Sequence, residues 1–326
     1  MLRIKAFPRI HLSLIGMNSD GYRINGGIGF SISSPTLNMC YESSDSFSIT
    51  DKRRQGFTPD ELTRLKNHLI RVAQAEHLEK GFNCLIETGL IESHIGLGSN
   101  TIIYLSCIEA LLIINNRNYS QDTVIELSGR GGTSGIGINT YFNGGFIFDA
   151  GIKNFGRETF SPSSLFVESP RPRPLLMKSH PLPKWDLGIC LPPIMHKTEE
   201  EEASFFKKNC PISKESAEHI LYEAIYGVSA ALIENDFQVF CQSINAIQHT
   251  RWKQLERDLY DSELDEIEAI IKSSGAKSVG MSSLGPMLYF FGDNIDGIVE
   301  NVKHIIPQCT CFKTSFNNSA RIVEND

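Results

Sequence analysis

The segment 99–114 constrains the fold of this chain more than any other feature of its sequence. It is apolar on nearly every face of a helix, with a single acidic residue, Glu109, in its second half. A helix that is hydrophobic all round is buried, in a protein core or in a membrane. This segment is shorter than the roughly 20 residues that span a bilayer. We therefore expect it to lie between layers of the fold, with other elements packed on both sides.

The length of the chain and a linker-like segment near its middle indicate two domains. Its 326 residues exceed what one hydrophobic core usually serves. Strand and helix signals mix in both halves, and residues 160–184 are rich in Pro, Ser and Arg, as linkers are. We therefore expect one domain over 1–180 and a second over 181–326. The predicted helices lie at 59–78, 99–114, 198–208, 213–235, 237–258, 263–273 and 295–305.

Charge and hydropathy argue against two classes of function. The net charge is −7 and no basic patch stands out, which disfavours nucleic-acid binding. No apolar run reaches membrane-spanning length, and the first residues lack a signal peptide, so we expect no membrane partner and a cytoplasmic location. The eight cysteines are scattered, several of them in apolar segments, which fits a reduced compartment.

A short glycine-rich turn immediately precedes the apolar helix and is the first candidate site. Glycines let the backbone approach an anion closely, and the free N–H groups of a helix start point at it. Ser99 adds a hydroxyl. The candidate phosphate-binding residues are Gly96, Gly98, Ser99 and Asn100. The alternative is a purely structural strand-to-helix turn.

A second glycine-rich segment, 129–137, has little propensity for regular structure and suggests a ligand lined by backbone amides. Arg130 brings a bidentate donor suited to phosphate or carboxylate. The remaining candidates in this segment are Gly131, Gly132, Thr133 and Ser134. A flexible surface loop is the alternative interpretation.

Three further places contain candidate ligand-binding side chains. The first strand and its following turn supply Arg9, His11 and Arg23, and His11 titrates near neutral pH when unperturbed. The proline-stiffened linker supplies Arg171 and Arg173, and a late turn over 280–286 supplies Ser282 and Ser283. Each place also has a purely structural interpretation. His11 would be a hydrogen-bonded structural histidine, the segment with Arg171 and Arg173 a basic extended linker, and the 280–286 turn a hairpin connection.

Taken together, these segments resemble the GHMP kinase superfamily. Its three motifs correspond in order to Pro8–Gly29, Glu92–Asn100 and Gly280–Pro286, so the likeness covers the whole chain. The resemblance implies an α+β, two-domain GHMP fold. Its N-terminal domain would be ribosomal-S5-domain-2-like and its C-terminal domain ferredoxin-like, and a homodimer is expected.

Within that superfamily the chain is similar to the β-ribofuranosylaminobenzene 5'-phosphate synthases of methanopterin biosynthesis. The specific stretch is Gly-Arg-Gly-Gly-Thr-Ser-Gly-Ile-Gly over 129–137. The resemblance implies a decarboxylating phosphoribosyltransferase that condenses phosphoribosyl pyrophosphate with 4-aminobenzoate or 4-hydroxybenzoate and releases carbon dioxide and pyrophosphate. Catalytic roles would fall to Arg130, His11 and Thr133, with Mg²⁺ present and no organic cofactor.

Two other functions stay open at this point. An ATP-dependent small-molecule kinase, similar to homoserine kinase, would bind nucleotide at Gly96–Asn100. However, residues 129–145 contain no Asp or Glu, whereas many kinases of the superfamily place there an Asp that acts as the catalytic base. Asn25 and Asn100 depart from the residues that the superfamily motifs favour, which motivates the third hypothesis, a ligand-binding protein without catalysis.

Overall fold

A computed structural model of the protein describes residues 1–87, 89–156, 160–162, 172–260 and 262–325. The strands within these ranges are β1 Leu2–Ala6, β2 Arg9–Ile15, β3 Arg23–Ile24, β4 Gly26–Ser31, β5 Leu37–Ser44, β6 Ser48–Asp51, β7 Gly81–Ile86, β8 Phe146–Asp149, β9 Ile152–Lys153, β10 Leu176–His180, β11 Asp186–Leu191, β12 Ser278–Met281, β13 Leu288–Phe291, β14 Thr310–Ser315 and β15 Ile322–Asn325.

The helices are α1 Pro59–Ala75, α2 Ser99–Ile114, α3 Gln121–Ser128, α4 Ile136–Asn143, α5 Glu199–Asn209, α6 Lys214–Tyr222, α7 Ala230–Glu234, α8 Phe237–Gln248, α9 Arg251–Arg257, α10 Ser262–Ser273 and α11 Ile295–Ile305. A π-helical segment, Glu223–Ser229, joins α6 to α7. Local signals explain the best-defined starts. Thr58 caps α1 in a capping box with Glu61, and Pro59 occupies the first turn.

The strands form three main sheets, whose order shows how distant parts of the chain meet. The first has the order β15-β1-β5-β7-β6, and the second has the order β10-β8-β4-β2. The third, β12-β13-β11-β14, contains only strands that follow residue 185. In the first sheet, β15 pairs antiparallel with β1, placing Val323 opposite Ile4. This mixed helix and sheet content confirms the predicted α+β class. The boundary at 180/181 stays a prediction.

Helix α2 has the buried position that its sequence requires. It contacts β1, β5 and β7 of the first sheet and also the helices α1, α3 and α4. Glu109, its one acidic residue, is fully buried. It accepts hydrogen bonds from Tyr119 and Tyr141 and forms an ion pair with Arg321. Burial of this carboxylate is tolerable because each oxygen has a donor.

The structure differs from the predicted elements in four places. The helix expected over 237–258 is two helices, α8 and α9, separated at His249 and Thr250. The short helix α3 and the strand β15 were not predicted, and strand β10 lies inside the stretch expected to be a linker. Among the described residues, no helix has both the length and the apolar character needed to cross a membrane.

Candidate active site

A cleft opens where α2 begins, with walls from β2, the 130–137 segment, α5, α9 and the 280–286 turn. Gly96 and Gly98 have left-handed backbones, with φ of +94° and +77°. Gly98 is the N-cap of α2 and leaves the first turn without a side-chain cap. The backbone N–H groups at the start of α2 therefore have no side-chain acceptor and suit an anion.

Arg9 lies directly against this glycine-rich turn, Gly96–Asn100, which is the candidate phosphate loop. Its Nη1 donates a hydrogen bond to the carbonyl oxygen of Gly96 at 2.7 Å. A Cβ atom placed on Gly98 would lie 3.1 Å from Cγ and Nε of Arg9. Burial, together with the nearby charge of Arg130, lowers the pKa of Arg9 to about 10. The guanidinium therefore stays positive at neutral pH and adds charge to the helix start.

The 280–286 turn packs onto the phosphate loop from the C-terminal half. Ser282 Oγ donates to the carbonyl oxygen of Gly96 at 2.7 Å and accepts from the backbone N–H of His11 at 3.1 Å. Ser283 donates its backbone N–H to the carbonyl oxygen of His11 and lines the cleft. Ser282 thus joins β2 to the loop, whereas Ser283 faces the space where a ligand would lie.

A hydrogen-bond chain runs from His11 through Ser134 to Asp149. Ser134 Oγ donates to Asp149 Oδ2 at 3.4 Å, so it can only accept from His11 Nε2, which lies 3.1 Å away. Burial, then the positive charges of Arg9 and Lys253, lower the pKa of His11 well below its usual range. His11 is therefore a neutral imidazole at pH 7, protonated on Nε2.

Asp149 ends this chain in a fully buried position. Its carboxylate accepts from the backbone N–H groups of Gly135 at 3.0 Å and Gly151 at 2.8 Å. Burial nevertheless raises its pKa to about 7, against the lowering effect of these bonds. Asp149 holds the 129–137 segment in place through Gly135 and Ser134, which explains how so glycine-rich a segment becomes ordered here.

Arg130 and Thr133 also line the cleft. Arg130 Nη2 donates to Thr101 Oγ1 at 3.1 Å, and its guanidinium lies 5.6 Å from the ring centre of Tyr104. Thr133 donates its hydroxyl proton to the carbonyl oxygen of Ser161 at 2.7 Å. Toward a ligand, Thr133 can therefore act only as an acceptor.

Several predicted ligand residues lie outside the cleft lining. Arg23 donates to the carbonyl oxygens of Ala150 and Gly151, and Arg173 forms an exposed ion pair with Asp122. Gly131 and Gly132 have left-handed backbones behind the cleft. Arg171 lies outside the described residues.

The structure also adds cleft residues that the sequence did not single out. His94, Glu202, Phe206 and Glu256 line the same cleft. Glu256 accepts from Trp252 Nε1 at 2.7 Å and forms a buried ion pair with Lys253 at 2.5 Å. The acidic run over 199–202 was visible in the sequence. No local pattern, however, indicated that α5 and α9 lie opposite the phosphate loop.

His94 forms a 2.7 Å ion pair with Glu61 beside the phosphate loop. Its hydrogen bond to Glu61 raises the pKa of His94. Although burial opposes it, the bond from His94 and the backbone N–H of Thr58 lower the pKa of Glu61 to about 2. The pair fixes the segment just before Gly96 to the start of α1.

In the part of the chain that the structure describes, no group of three or more His, Cys, Asp or Glu side chains is placed to hold a metal ion. Mg²⁺ commonly keeps several waters and binds through substrate phosphates with one or two carboxylates. The described residues therefore fit a Mg²⁺ ion that arrives with a phosphorylated substrate better than one held in a protein cage.

Comparison with solved structures defines the class of the protein. The chain is similar to homoserine kinase from Cytophaga hutchinsonii, with a TM-score of 0.68 and 15% identity over 99% of this chain and 97% of the other. It is similar to mevalonate diphosphate decarboxylase from Staphylococcus aureus, with a TM-score of 0.69 and 13% identity over 100% and 99%. Such identities establish the fold alone, which is the GHMP kinase fold predicted from the sequence motifs.

Sequence comparison then identifies the family. No protein-family model matches the chain. A β-ribofuranosylphenol 5'-phosphate synthase from Methanocaldococcus jannaschii is 31% identical over 301 residues, 89% of each chain. The enzyme of that name from Methanothermobacter thermautotrophicus is 29% identical over 301 residues, 91% of each chain. The chain belongs to the β-ribofuranosylphenol 5'-phosphate synthase family and is an enzyme of the glycosyltransferase type. The resemblance found in the sequence is confirmed.

Proposed function

We propose that this enzyme condenses phosphoribosyl pyrophosphate with a 4-substituted benzoate, releasing pyrophosphate and carbon dioxide. The observation that carries the proposal is the positive end of the cleft, where the uncapped start of α2 lies beside Arg9 and Arg130. Both guanidiniums suit phosphate or carboxylate oxygens. Family membership then selects C-riboside formation among the reactions that such a cleft can support.

The cleft residues suit a reaction in which charge moves to a leaving group. The C1'–O bond to pyrophosphate breaks, the C1'–aryl carbon bond forms, and the carboxylate leaves that carbon as carbon dioxide. Negative charge grows on pyrophosphate, which the N–H groups of α2 and Arg9 stabilise without moving. Mg²⁺ would add positive charge to the same oxygens. The sugar cation needs little covalent help, so binding and orientation dominate.

The remaining cleft residues have orienting roles in this proposal. His11, held in place by Ser134, is neutral and therefore places no positive charge next to the positively charged ribosyl group. Thr133 accepts a hydrogen bond from a sugar hydroxyl, and Ser283 lies on the C-terminal wall of the cleft. Arg130 binds the 5'-phosphate or the benzoate carboxylate.

The name of the relatives favours 4-hydroxybenzoate as the acceptor, because they are named for a ribofuranosylphenol product. The same likeness supports a place in methanopterin biosynthesis, a cytoplasmic location and a homodimer as parts of the proposal. A GHMP small-molecule kinase shares the fold and is the competing activity that the assay must separate.

Pyrophosphate and carbon dioxide release should be followed with phosphoribosyl pyrophosphate and Mg²⁺, with and without 4-hydroxybenzoate or 4-aminobenzoate. We expect both products in equal amounts, and only with a benzoate. Arg130→Ala is the matched loss-of-site variant, and Arg173→Ala, an arginine outside the cleft lining, is its control. Benzoate-independent ATP hydrolysis stimulated by a small alcohol, with no pyrophosphate release, would assign the protein to the kinases instead.

A further inference from the structure

We propose that Glu202 is the base that accepts the 4-hydroxyl proton of the aromatic acceptor while the carbon–carbon bond forms. This inference rests on the proposed function and names a catalytic residue for it. Glu202 lies on α5, and its carboxyl lines the cleft that contains Arg9, Arg130 and the start of α2. The proposal places the hydroxyl end of the acceptor at this part of the cleft lining.

The first support is that Glu202 lacks a partner. No described residue donates a hydrogen bond or forms an ion pair to its side chain, although the residue is only partly exposed. Glu256, on the neighbouring helix α9, has a donor on each carboxylate oxygen. The Glu202 carboxyl is open to the cleft, so a bound acceptor can replace water as its hydrogen-bond donor. The contrast singles out Glu202 as the acceptor left for a substrate.

The second support is the apolar side chain beside Glu202, a nearly buried ring. Phe206 lies one turn further along α5, on the same face, and also lines the cleft. Its ring packs against the buried Trp252 at a centroid distance of 5.7 Å. An apolar ring next to a lone carboxyl matches a planar aromatic acceptor with a hydrogen-bond donor at one end. The positive groups elsewhere in the cleft match the carboxylate at its other end.

The chemistry of the acceptor gives this carboxyl a task. A phenol ring becomes a strong carbon nucleophile as its hydroxyl proton leaves. The proton moves to Glu202 Oε while the ring carbon bearing the carboxylate bonds to C1' and the C1'–O pyrophosphate bond breaks, leaving a dienone. The bond to the carboxylate then breaks, carbon dioxide leaves, and its electron pair restores the ring. The phenolate oxygen finally takes the proton back from Glu202, so the base is regenerated.

The charged surroundings suit this proton exchange. Burial raises the pKa of Glu202 to about 7; the positive charge of His94 opposes the shift, while Glu199 and Glu256 add to it. His94 is paired with Glu61, and Glu256 with Lys253. Tyr260, whose own pKa is raised by burial and then by Glu202, is a further titratable neighbour; His196 stacks on His94, and Lys197 lies over the ring of Tyr260. A base works best when its pKa lies near the operating pH.

The variant Glu202→Gln tests the proposal, because glutamine keeps the size and an acceptor oxygen but cannot take a proton. Glu200→Gln, an exposed residue of the same helix, is the matched control. We expect Glu202→Gln to lower kcat/KM for 4-hydroxybenzoate about 100-fold or more near pH 7, the usual size of general-base catalysis. Calorimetric binding of phosphoribosyl pyrophosphate should be unchanged, which also reports that the variant is folded.

Two readouts separate a base from a structural role. The activity of Glu202→Gln should rise as the pH approaches that of phenol ionisation, about 10 for a tyrosine-like hydroxyl, since the substrate then arrives deprotonated. With 4-methoxybenzoate, which has no proton to give, variant and wild type should be alike. Equal losses on both acceptors at every pH would overturn the role of Glu202.

The remaining outcomes distinguish this inference from the proposed function. Wild-type activity in Glu202→Gln over the whole pH range would overturn the inference and leave the synthase reaction intact. A wild-type enzyme that releases no pyrophosphate with any benzoate would overturn the proposed function, and the role of Glu202 with it.

Discussion

Replacing Gly98 by alanine tests whether the phosphate loop and Arg9 form one binding surface. Two costs are expected at this position. The first is backbone strain, because the φ of Gly98 is +77° and a side chain in the left-handed region costs about 1–2 kcal/mol. The second is steric, because the added Cβ would lie 3.1 Å from the side chain of Arg9, which must then move.

Gly156 provides a control that separates these two costs. Its φ is also +77°, but an added Cβ would meet none of the described residues within 4 Å. Both variants should therefore lose about 1–2 kcal/mol of stability, which lowers the melting temperature of a 326-residue chain by only ~1–3 °C. Only Gly98→Ala should displace Arg9 from the loop.

The binding assay then isolates the displacement of Arg9. A hydrogen bond to a charged group is worth about 1.5–3 kcal/mol, so losing one guanidinium–phosphate contact should weaken binding roughly 10- to 150-fold. Titration calorimetry with phosphoribosyl pyrophosphate and Mg²⁺ should show this loss for Gly98→Ala and none for Gly156→Ala. Equal affinities in the two variants would refute the idea that Arg9 and the loop bind the ligand together.

Three further outcomes follow from buried charges. Arg130→Ala should reduce turnover by about 2–4 kcal/mol of transition-state stabilisation, while the melting temperature, followed by calorimetry, stays close to wild type. Lys253→Met should destabilise the protein by about 3–5 kcal/mol, and the double variant with Glu256→Leu should regain most of it in denaturation experiments. Glu61→Gln keeps the capping box but removes the ion pair to His94. Because the pKa of Glu61 is lowered from 4.5 to about 2 and that of His94 is raised, the stability of this pair declines as the pH falls from 4.5 towards about 2 and is lost as the pH rises through the raised pKa of His94. The difference in melting temperature between Glu61→Gln and wild type should therefore be largest near pH 5–6 and should shrink on either side; a constant difference would contradict the assignment.

Elements with strong local signals were predictable from the sequence. Helix α2 begins and ends where its apolar run does, at 99 and 114, and α1 begins at the capping box of Thr58 and Glu61. Such signals act within one or two helical turns, so they do not depend on tertiary contacts made elsewhere in the fold. Helix α3 had comparable signals, Ser120 as N-cap and Gly129 as a left-handed C-cap, and it could have been found from them.

The parts that were not predictable depend on long-range pairing. The break between α8 and α9 has only a weak local signal, Thr250 as the N-cap residue of α9, and its Oγ1 bonds the carbonyl oxygen of Ile247 instead of capping the helix. Arg23 was predicted to bind a ligand because of its guanidinium group, yet its side chain donates to the carbonyl oxygen of Ala150, 127 residues away. A residue type limits which partners are possible, but only the fold decides which of them is near.

The same limit applies to the cleft. The glycines, Arg9 and Arg130 were recognisable because backbone freedom and guanidinium groups suit phosphate wherever they occur. Glu202 was visible only as part of an acidic run at a helix start, where its charge complements the helix dipole. Its position in the cleft follows from the packing of α5 on α9, where Phe205 and Phe206 contact Trp252, and no pattern within α5 encodes that packing.

The pairing of β1 with β15 has a consequence for synthesis of the protein. Of the strands in this sheet, β1 leaves the ribosome first and β15 last. One edge of β1 therefore stays unpaired while everything between them is translated, and an open edge invites pairing with other chains. N-terminal domains usually fold first during synthesis, but here the first sheet stays incomplete until the third sheet has also been made. A nascent chain of this enzyme should depend on chaperones longer than its N-terminal half alone would suggest.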